Sequence, residues 1–124
     1  TPPETTATLD TATKLANEGH LVEAAKLCET HLLQQGPDAQ AFYLLALMRE
    51  AVGEPDEAEA LLRKSAALDP SNGPTFVELA RVLWLRGGAE EALSLLRDYL
   101  GRADDAVALY TLGCLLVAEG RGDP

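Results

Sequence analysis

The chain has 124 residues, of which 47% are hydrophobic and 24% charged, and it carries a formal net charge of −10. Its length fits one domain, and its many Ala and Leu residues beside few aromatics favour helices packed through small aliphatic side chains. Ten Lys and Arg against twenty Asp and Glu argue against nucleic acid or an anionic membrane surface as a partner, and no apolar run reaches the ~20 residues that span a bilayer.

The chain begins TPPETT, without Met and without a signal-peptide pattern, which is typical of a segment taken from a longer protein. We expect residues 1–4 to form a linker or tail and residues 5–122 to form a single domain. The two cysteines, Cys28 and Cys114, are too few for a disulfide scaffold and are compatible with a reducing location such as the cytoplasm. Both are expected to lie in the core as free thiols.

A period of 34 residues, once shortened to 33, runs through the sequence. Three series of small residues share it: Gly19, Gly53, Gly87 and Gly120; Ala12, Ala46, Ala80 and Gly113; and Ala24, Ala58 and Ala92. Such a period indicates a stack of repeated units. It divides the chain into copies at 5–38, 39–72 and 73–105, followed by a half copy at 106–122.

Each complete copy has the pattern of two helices joined by a turn. In the second copy, residues 41–51 carry apolar side chains at helical spacing, a turn follows at Gly53, and residues 56–68 form a second amphipathic segment. The segment LDPSNGP then ends one helix and begins the next, because proline cannot continue a helix but suits its first turn. The third copy repeats this plan at 75–85 and 90–100.

This pattern resembles the tetratricopeptide (TPR) repeat, a 34-residue helix–turn–helix with the motif W-x2-L-G-x2-Y…A-x3-F…P. The matching residues of the second copy are Phe42, Leu45, Ala46, Ala58, Leu62 and Pro70. The resemblance implies an all-α, right-handed superhelical solenoid of antiparallel helix pairs with about three and a half repeats. It also implies that the first helix of each pair lines a concave groove that binds a protein or peptide.

The residues predicted to face this groove are Leu9, Thr13, Tyr43, Leu47, Val77, Arg81 and Tyr110. Tyr and Arg beside aliphatic residues are typical of protein-binding surfaces. Part of the apolar set is alternatively explained by packing between repeats. The C-terminal tail of Hsp70 or Hsp90 is not expected as the ligand, because residues such as Leu9, Leu44 and Glu78 stand where that carboxylate clamp needs Lys, Asn or Arg.

The sequence contains no catalytic constellation, so we expect the chain itself not to be an enzyme and to need no cofactor or metal. Neither His20 nor His31 has partners at a metal-ligand spacing. The tripeptide Arg-Gly-Asp at 121–123 resembles an integrin-binding motif, but chance or a segment boundary explains it better.

The last helix, residues 106–118, has no charged side chain. If Leu109, Leu112, Gly113 and Leu116 pack on the preceding repeat, the rest of the helix surface is formed by Val107, Tyr110, Cys114, Leu115 and Val117. Of these, Val107, Leu115 and Val117 are the predicted self-association residues. A terminal repeat needs a polar outer face to stay soluble. We therefore predict that the chain self-associates through this helix as a two-fold homodimer, which makes a structural dimerisation unit the alternative to a partner-binding module.

A narrower resemblance covers residues 15–70 and is most specific in CETHLLQQGPDAQAFYLL, residues 28–45. This stretch is similar to the C-terminal TPR segment of bacterial CheR-type chemoreceptor methyltransferases of Wsp-like surface-sensing systems. The resemblance implies a non-catalytic scaffold or adaptor that docks such an enzyme to its signalling array, with the methyl-transfer chemistry outside these residues.

Overall fold

The computed structural model describes the backbone of residues 2–120 and the side chains of residues 8–120. Within this range the chain forms seven α-helices and no strand: α1 (Pro2–Asn17), α2 (Leu21–Gln35), α3 (Ala39–Ala51), α4 (Pro55–Leu68), α5 (Gly73–Leu85), α6 (Ala89–Leu100) and α7 (Ala106–Ala118). The all-α prediction is confirmed. The first helix begins at Pro2, inside the expected linker, because proline is accommodated in the first turn of a helix.

The repeated glycines end the first helix of each pair. Gly19, Gly53 and Gly87 have φ angles of 90°, 81° and 90°, a left-handed conformation that other residues rarely adopt. Two aspartates cap the N-termini of first helices. The Asp38 side chain accepts a hydrogen bond from the Ala41 N–H of α3, and the Asp105 side chain accepts one from the Ala108 N–H of α7, each at 3.0 Å. The 34-residue period in glycine is therefore a period in turn geometry.

The chain divides into two compact units, Thr1–Leu68 and Asp69–Pro124. The single domain over residues 5–122 stays a prediction. The division falls at Asp69-Pro70, where the proline ends α4. Residues 121–123, the Arg-Gly-Asp tripeptide, lie outside the described residues.

Unit 1 contains α1 to α4. In it α1 packs on α2, α2 on α3 and α3 on α4. The alanines of the periodic series lie at these crossings without solvent exposure: Ala12, Ala24, Ala46 and Ala58. Small side chains at these positions let the helix axes approach closely.

Unit 2 contains α5 to α7. Here α5 packs on α6, and α7 packs on both. Ala80 of α5 and Ala92 of α6 are fully buried, as their equivalents are in unit 1. No helix in the described part of the chain is long and apolar enough to cross a membrane.

Candidate functional site

In unit 1 the predicted groove residues lie on α1 and α3, which are in contact. Thr13, Tyr43 and Leu47 are half-buried, and the Thr13 hydroxyl donates a hydrogen bond to the Leu9 carbonyl at 3.0 Å. Tyr43 packs against the core cluster of the unit. These side chains therefore combine a packing contact with a part that solvent or a partner can reach.

Leu9 does not belong to this surface. It is 9% exposed and forms part of the core cluster of unit 1. The prediction that it faces a groove is wrong, because a leucine between two packed helices gains more by burial in the helix interface than by exposure.

In unit 2 the predicted residues are Val77 and Arg81, one turn apart on α5, and Tyr110 on α7. Val77 is half-buried, Arg81 is exposed, and Tyr110 is 75% exposed. The Arg81 guanidinium donates to the Glu78 carboxylate on the same helix, so the cation is held in place by an i, i+3 ion pair. The surface offers an apolar side chain, an oriented guanidinium and an exposed aromatic ring. We name Val77, Arg81 and Tyr110 the α5–α7 surface.

The packing register of α7 differs from the prediction. Its buried residues are Ala108 and Leu115, the latter 8% exposed, whereas Leu109 is 62% exposed. Leu115 was expected to be exposed and Leu109 buried, and both expectations are wrong. In complete copies, the face that carries Ala46 or Ala80 packs against the second helix of the same copy. The last copy has no such helix within the described residues, so α7 buries only its other side against α5 and α6.

An uncharged surface remains open on α7. We name it the α7 face and define it by Leu109, Tyr110, Gly113, Cys114 and Val117; Val107 lies beside it and is 65% exposed. Tyr110, Gly113, Cys114 and Val117 line an open concavity of about 500 Å³. Tyr110 and Cys114 interact, and a hydrogen bond with the Cys114 sulfur raises the pKa of Tyr110.

The prediction of two core cysteines is half correct. Cys28 of α2 is fully buried, but Cys114 is exposed, and both are free thiols. Cys114 occupies an apolar helix position like Cys28, but no helix covers it within the described residues. No group of three or more His, Cys, Asp or Glu side chains in residues 8–120 is arranged to hold a metal ion.

The sequence profile of the tetratricopeptide repeat matches residues 51–112, half of the chain. The chain belongs to the tetratricopeptide repeat family. The TPR motif predicted from the 34-residue period is therefore confirmed.

Two curated relatives are similar to this TPR chain over part of their length. The probable biofilm formation methyltransferase WspC of Pseudomonas aeruginosa is 36% identical over 78 residues, which are 63% of this chain and 18% of that protein. The protein of the same name from Pseudomonas putida is 34% identical over 74 residues, which are 60% of this chain and 18% of that protein. The predicted similarity to Wsp-type methyltransferases is therefore confirmed, and the matched region is about a fifth of each relative.

Solved structures share the fold. A crystal structure of MamA has a TM-score of 0.80 at 17% identity, and the match covers 98% of this chain and 72% of the MamA chain. An O-GlcNAc transferase mutant of Thermobaculum terrenum has a TM-score of 0.79 at 27% identity, over 90% of this chain and 22% of that one. The Yersinia enterocolitica type III secretion chaperone SycD, in complex with a peptide of the translocator YopD, has a TM-score of 0.77 at 19% identity. The match covers 91% of this chain and 92% of the SycD chain.

Sequence reasoning missed one set of residues in the TPR copies. His31 of α2 is buried, and its Nε2 lies 3.2 Å from Asp38 Oδ2, while Asp38 caps α3. In unit 2 the Tyr99 hydroxyl donates to Asp105 Oδ2 at 2.8 Å, while Asp105 caps α7. Tyr99 is two repeat periods from His31, so the period itself was the available signal. Each pair fixes the start of a first helix to the second helix before it.

Proposed function

We propose that this TPR chain is a non-catalytic protein-interaction module that binds a peptide or protein segment on the α5–α7 surface. The exposure of Tyr110 carries the proposal. A tyrosine ring that is three-quarters exposed on a packed helix gains little from the fold of its own unit. Tyr and Arg are, together with Trp, enriched at the energetic centre of protein interfaces.

The neighbouring contacts support this surface. Val77 supplies an apolar base, and the ion pair with Glu78 orients the Arg81 guanidinium without burying it. A pre-oriented side chain loses less conformational entropy when a partner binds. SycD, a chaperone with this fold, has been crystallised in complex with a peptide. In unit 1, Thr13, Tyr43 and Leu47 are proposed as a separate contact patch of that unit.

The proposal extends to the protein of origin. The matched relatives are named as methyltransferases, and the matched region is 18% of their length. We take the chain to be a docking segment of a larger bacterial signalling protein, such as a CheR-type methyltransferase, whose catalytic residues lie elsewhere. Two free thiols fit the reducing cytoplasm, which we include in the proposal. Sequencing the gene on both sides of this segment tests the parentage, and a neighbouring region without a methyltransferase domain would contradict it.

Peptides selected from a display library against the wild-type chain test the binding surface. We expect Val77→Ala and Arg81→Ala each to weaken their affinity at least about tenfold, or ~1.4 kcal/mol, in fluorescence anisotropy titrations. Leu33→Ala is the matched control, because Leu33 of α2 is an exposed apolar residue outside the surface. Selected peptides that bind both variants as tightly as wild type would place the partner site elsewhere.

A further inference from the structure

The α7 face has the properties of an interface without an occupant in the described residues. Leu109, Tyr110 and Val117 are all more than 60% exposed, and α7 carries no charged side chain along its length. A helix that is apolar on every side is ordinarily buried. Contiguous exposed apolar surface on a soluble unit marks an interaction site.

The shape of the α7 face fits a helix. Tyr110, Gly113, Cys114 and Val117 follow the spacing i, i+3, i+4, i+7, which is the arrangement of four residues that receives one side chain of a facing helix. They surround the open concavity of about 500 Å³. The equivalents of Gly113 in complete copies, Ala46 and Ala80, are fully buried where a second helix packs. The α7 face therefore continues a helix–helix interface that the rest of the chain already uses.

We infer that the occupant is a second copy of this chain, whose α7 packs antiparallel to the first about a two-fold axis near Gly113. The occupant must be uncharged along its contacting side, because a charge buried against this face would have no partner. The second helices α4 and α6 already bury their apolar faces within their own units and carry acidic residues in their first turns. Among the seven described helices, α7 is the one without a charged residue.

The geometry of the pair follows from the helix register. With the crossing near Gly113, Tyr110 of one copy lies opposite Val117 of the other. A Cβ atom added at Gly113 would meet nothing within 4 Å in the single chain, so this space is free for the second helix. The absent side chain lets the two backbones approach closely. Cys114 of each copy then lies near the two-fold axis.

The size and charge of the interface set its expected behaviour. A helix of thirteen residues is about 20 Å long, so one face buries less than the ~800 Å² per partner of a standard stable interface. The dimer should therefore dissociate on dilution, in the micromolar range. Each copy carries a net charge of −10, so added salt should strengthen the dimer by screening the repulsion between copies.

Sedimentation velocity between low micromolar and millimolar concentration tests the inference. We expect wild type to pass from monomer to dimer, with Val117→Glu and Gly113→Leu raising the dissociation constant at least tenfold. Gly113→Leu leaves the fold intact because Leu is a better helix former than Gly and this position faces open space. Circular dichroism verifies the helix content of both variants. Leu33→Glu, a charge introduced at an exposed leucine of α2, is the matched control and should dimerise like wild type.

Disulfide trapping gives a second readout. Mild oxidation of the concentrated wild type should yield a covalent dimer that Cys114→Ser abolishes and Cys28→Ser retains. A chain that stays monomeric throughout would overturn the inference. So would a dimer that survives Val117→Glu, or one that weakens with salt. Tyr110 belongs to both the α5–α7 surface and the α7 face, so neither test varies it. The peptide test changes Val77 and Arg81, and the dimer test changes Gly113 and Val117, so a failure of one proposal is distinguished from a failure of the other.

Discussion

At the scale of single residues, the two cysteines show how packing decides chemistry. Cys28 is fully buried in α2, and this burial, with smaller contributions from Glu29 and Asp38, raises the pKa of its thiol to about 11. Cys114 is exposed on α7. Both occupy apolar positions of helices in the sequence, but in the described residues neighbouring helices cover Cys28 and none covers Cys114.

Thiol titration at low protein concentration should detect this difference. At pH 8 the Cys28 thiol is almost wholly protonated and inaccessible, so a chromogenic disulfide reagent should react rapidly with Cys114 alone. Cys114→Ser should remove the fast phase, and both thiols of wild type should react in denaturant. Two fast thiols in the native wild type would contradict the packing of α2.

Asp105 is a second residue whose chemistry the fold changes. Hydrogen bonds from the Ala108 backbone N–H and, next, from the Tyr99 hydroxyl lower the pKa of its carboxyl group. A lowered pKa in the folded state means that the carboxylate stabilises the fold above its usual pKa of about 4. This contribution is lost as the pH falls through the lowered value.

We predict that Asp105→Ala lowers the free energy of unfolding of unit 2 by about 0.5–2 kcal/mol at pH 7, the usual cost of losing an N-cap. The difference from wild type should shrink as the pH falls from about 4 through the lowered pKa, where the folded wild type also takes up a proton on Asp105. Urea unfolding followed by the fluorescence of Trp84, the single tryptophan and a residue of α5, reports on this unit. An equal difference at pH 7 and at low pH would show that the charge of Asp105 contributes nothing.

At the scale of helices, the crossings depend on small side chains at fixed positions. Ala58 of α4 has no solvent exposure, whereas Ala60, two residues later on the same helix, is exposed. A larger side chain at the crossing must push α3 and α4 apart. The same side chain at the exposed position has room.

We therefore expect Ala58→Leu to lower the stability of unit 1 by about 1–3 kcal/mol and Ala60→Leu to change it by less than about 0.5 kcal/mol. Thermal unfolding followed by circular dichroism compares the two variants, which carry the same Ala→Leu change on the same helix. If the two variants have the same melting temperature, the assignment of the periodic alanines to helix crossings is wrong.

The helix α7 shows where periodicity stops being informative. The repeat register predicted correctly that residues 106–118 form a helix, but it assigned Leu109 to the buried side and Leu115 to the exposed side. The register describes a helix packed on two sides. In the described residues α7 packs only against α5 and α6. The residues that the second helix of a complete copy would cover, such as Leu109, are therefore exposed.

At the scale of the whole molecule, the 34-residue period predicted the helices and the TPR fold because glycine turns and alanine crossings are local constraints. The division at Asp69 was not predicted, since the sequence break there looks like those between other copies. The exposure of Arg81 and Tyr110 was predicted from helix position. The burial of Leu9 was not predicted, because an apolar residue at a groove position and one at a helix interface have the same sequence pattern.

The central claim is that partners bind the first helices of the TPR pairs, and nuclear magnetic resonance mapping of a selected peptide tests it most directly. With the ¹⁵N-labelled chain below its dimerisation range, the peptide should shift the amide signals of α5 and α7 around Val77, Arg81 and Tyr110. The signals of α2 around Val22 and Leu33 should stay unchanged. Shifts confined to the second helices α2, α4 and α6 would contradict the account.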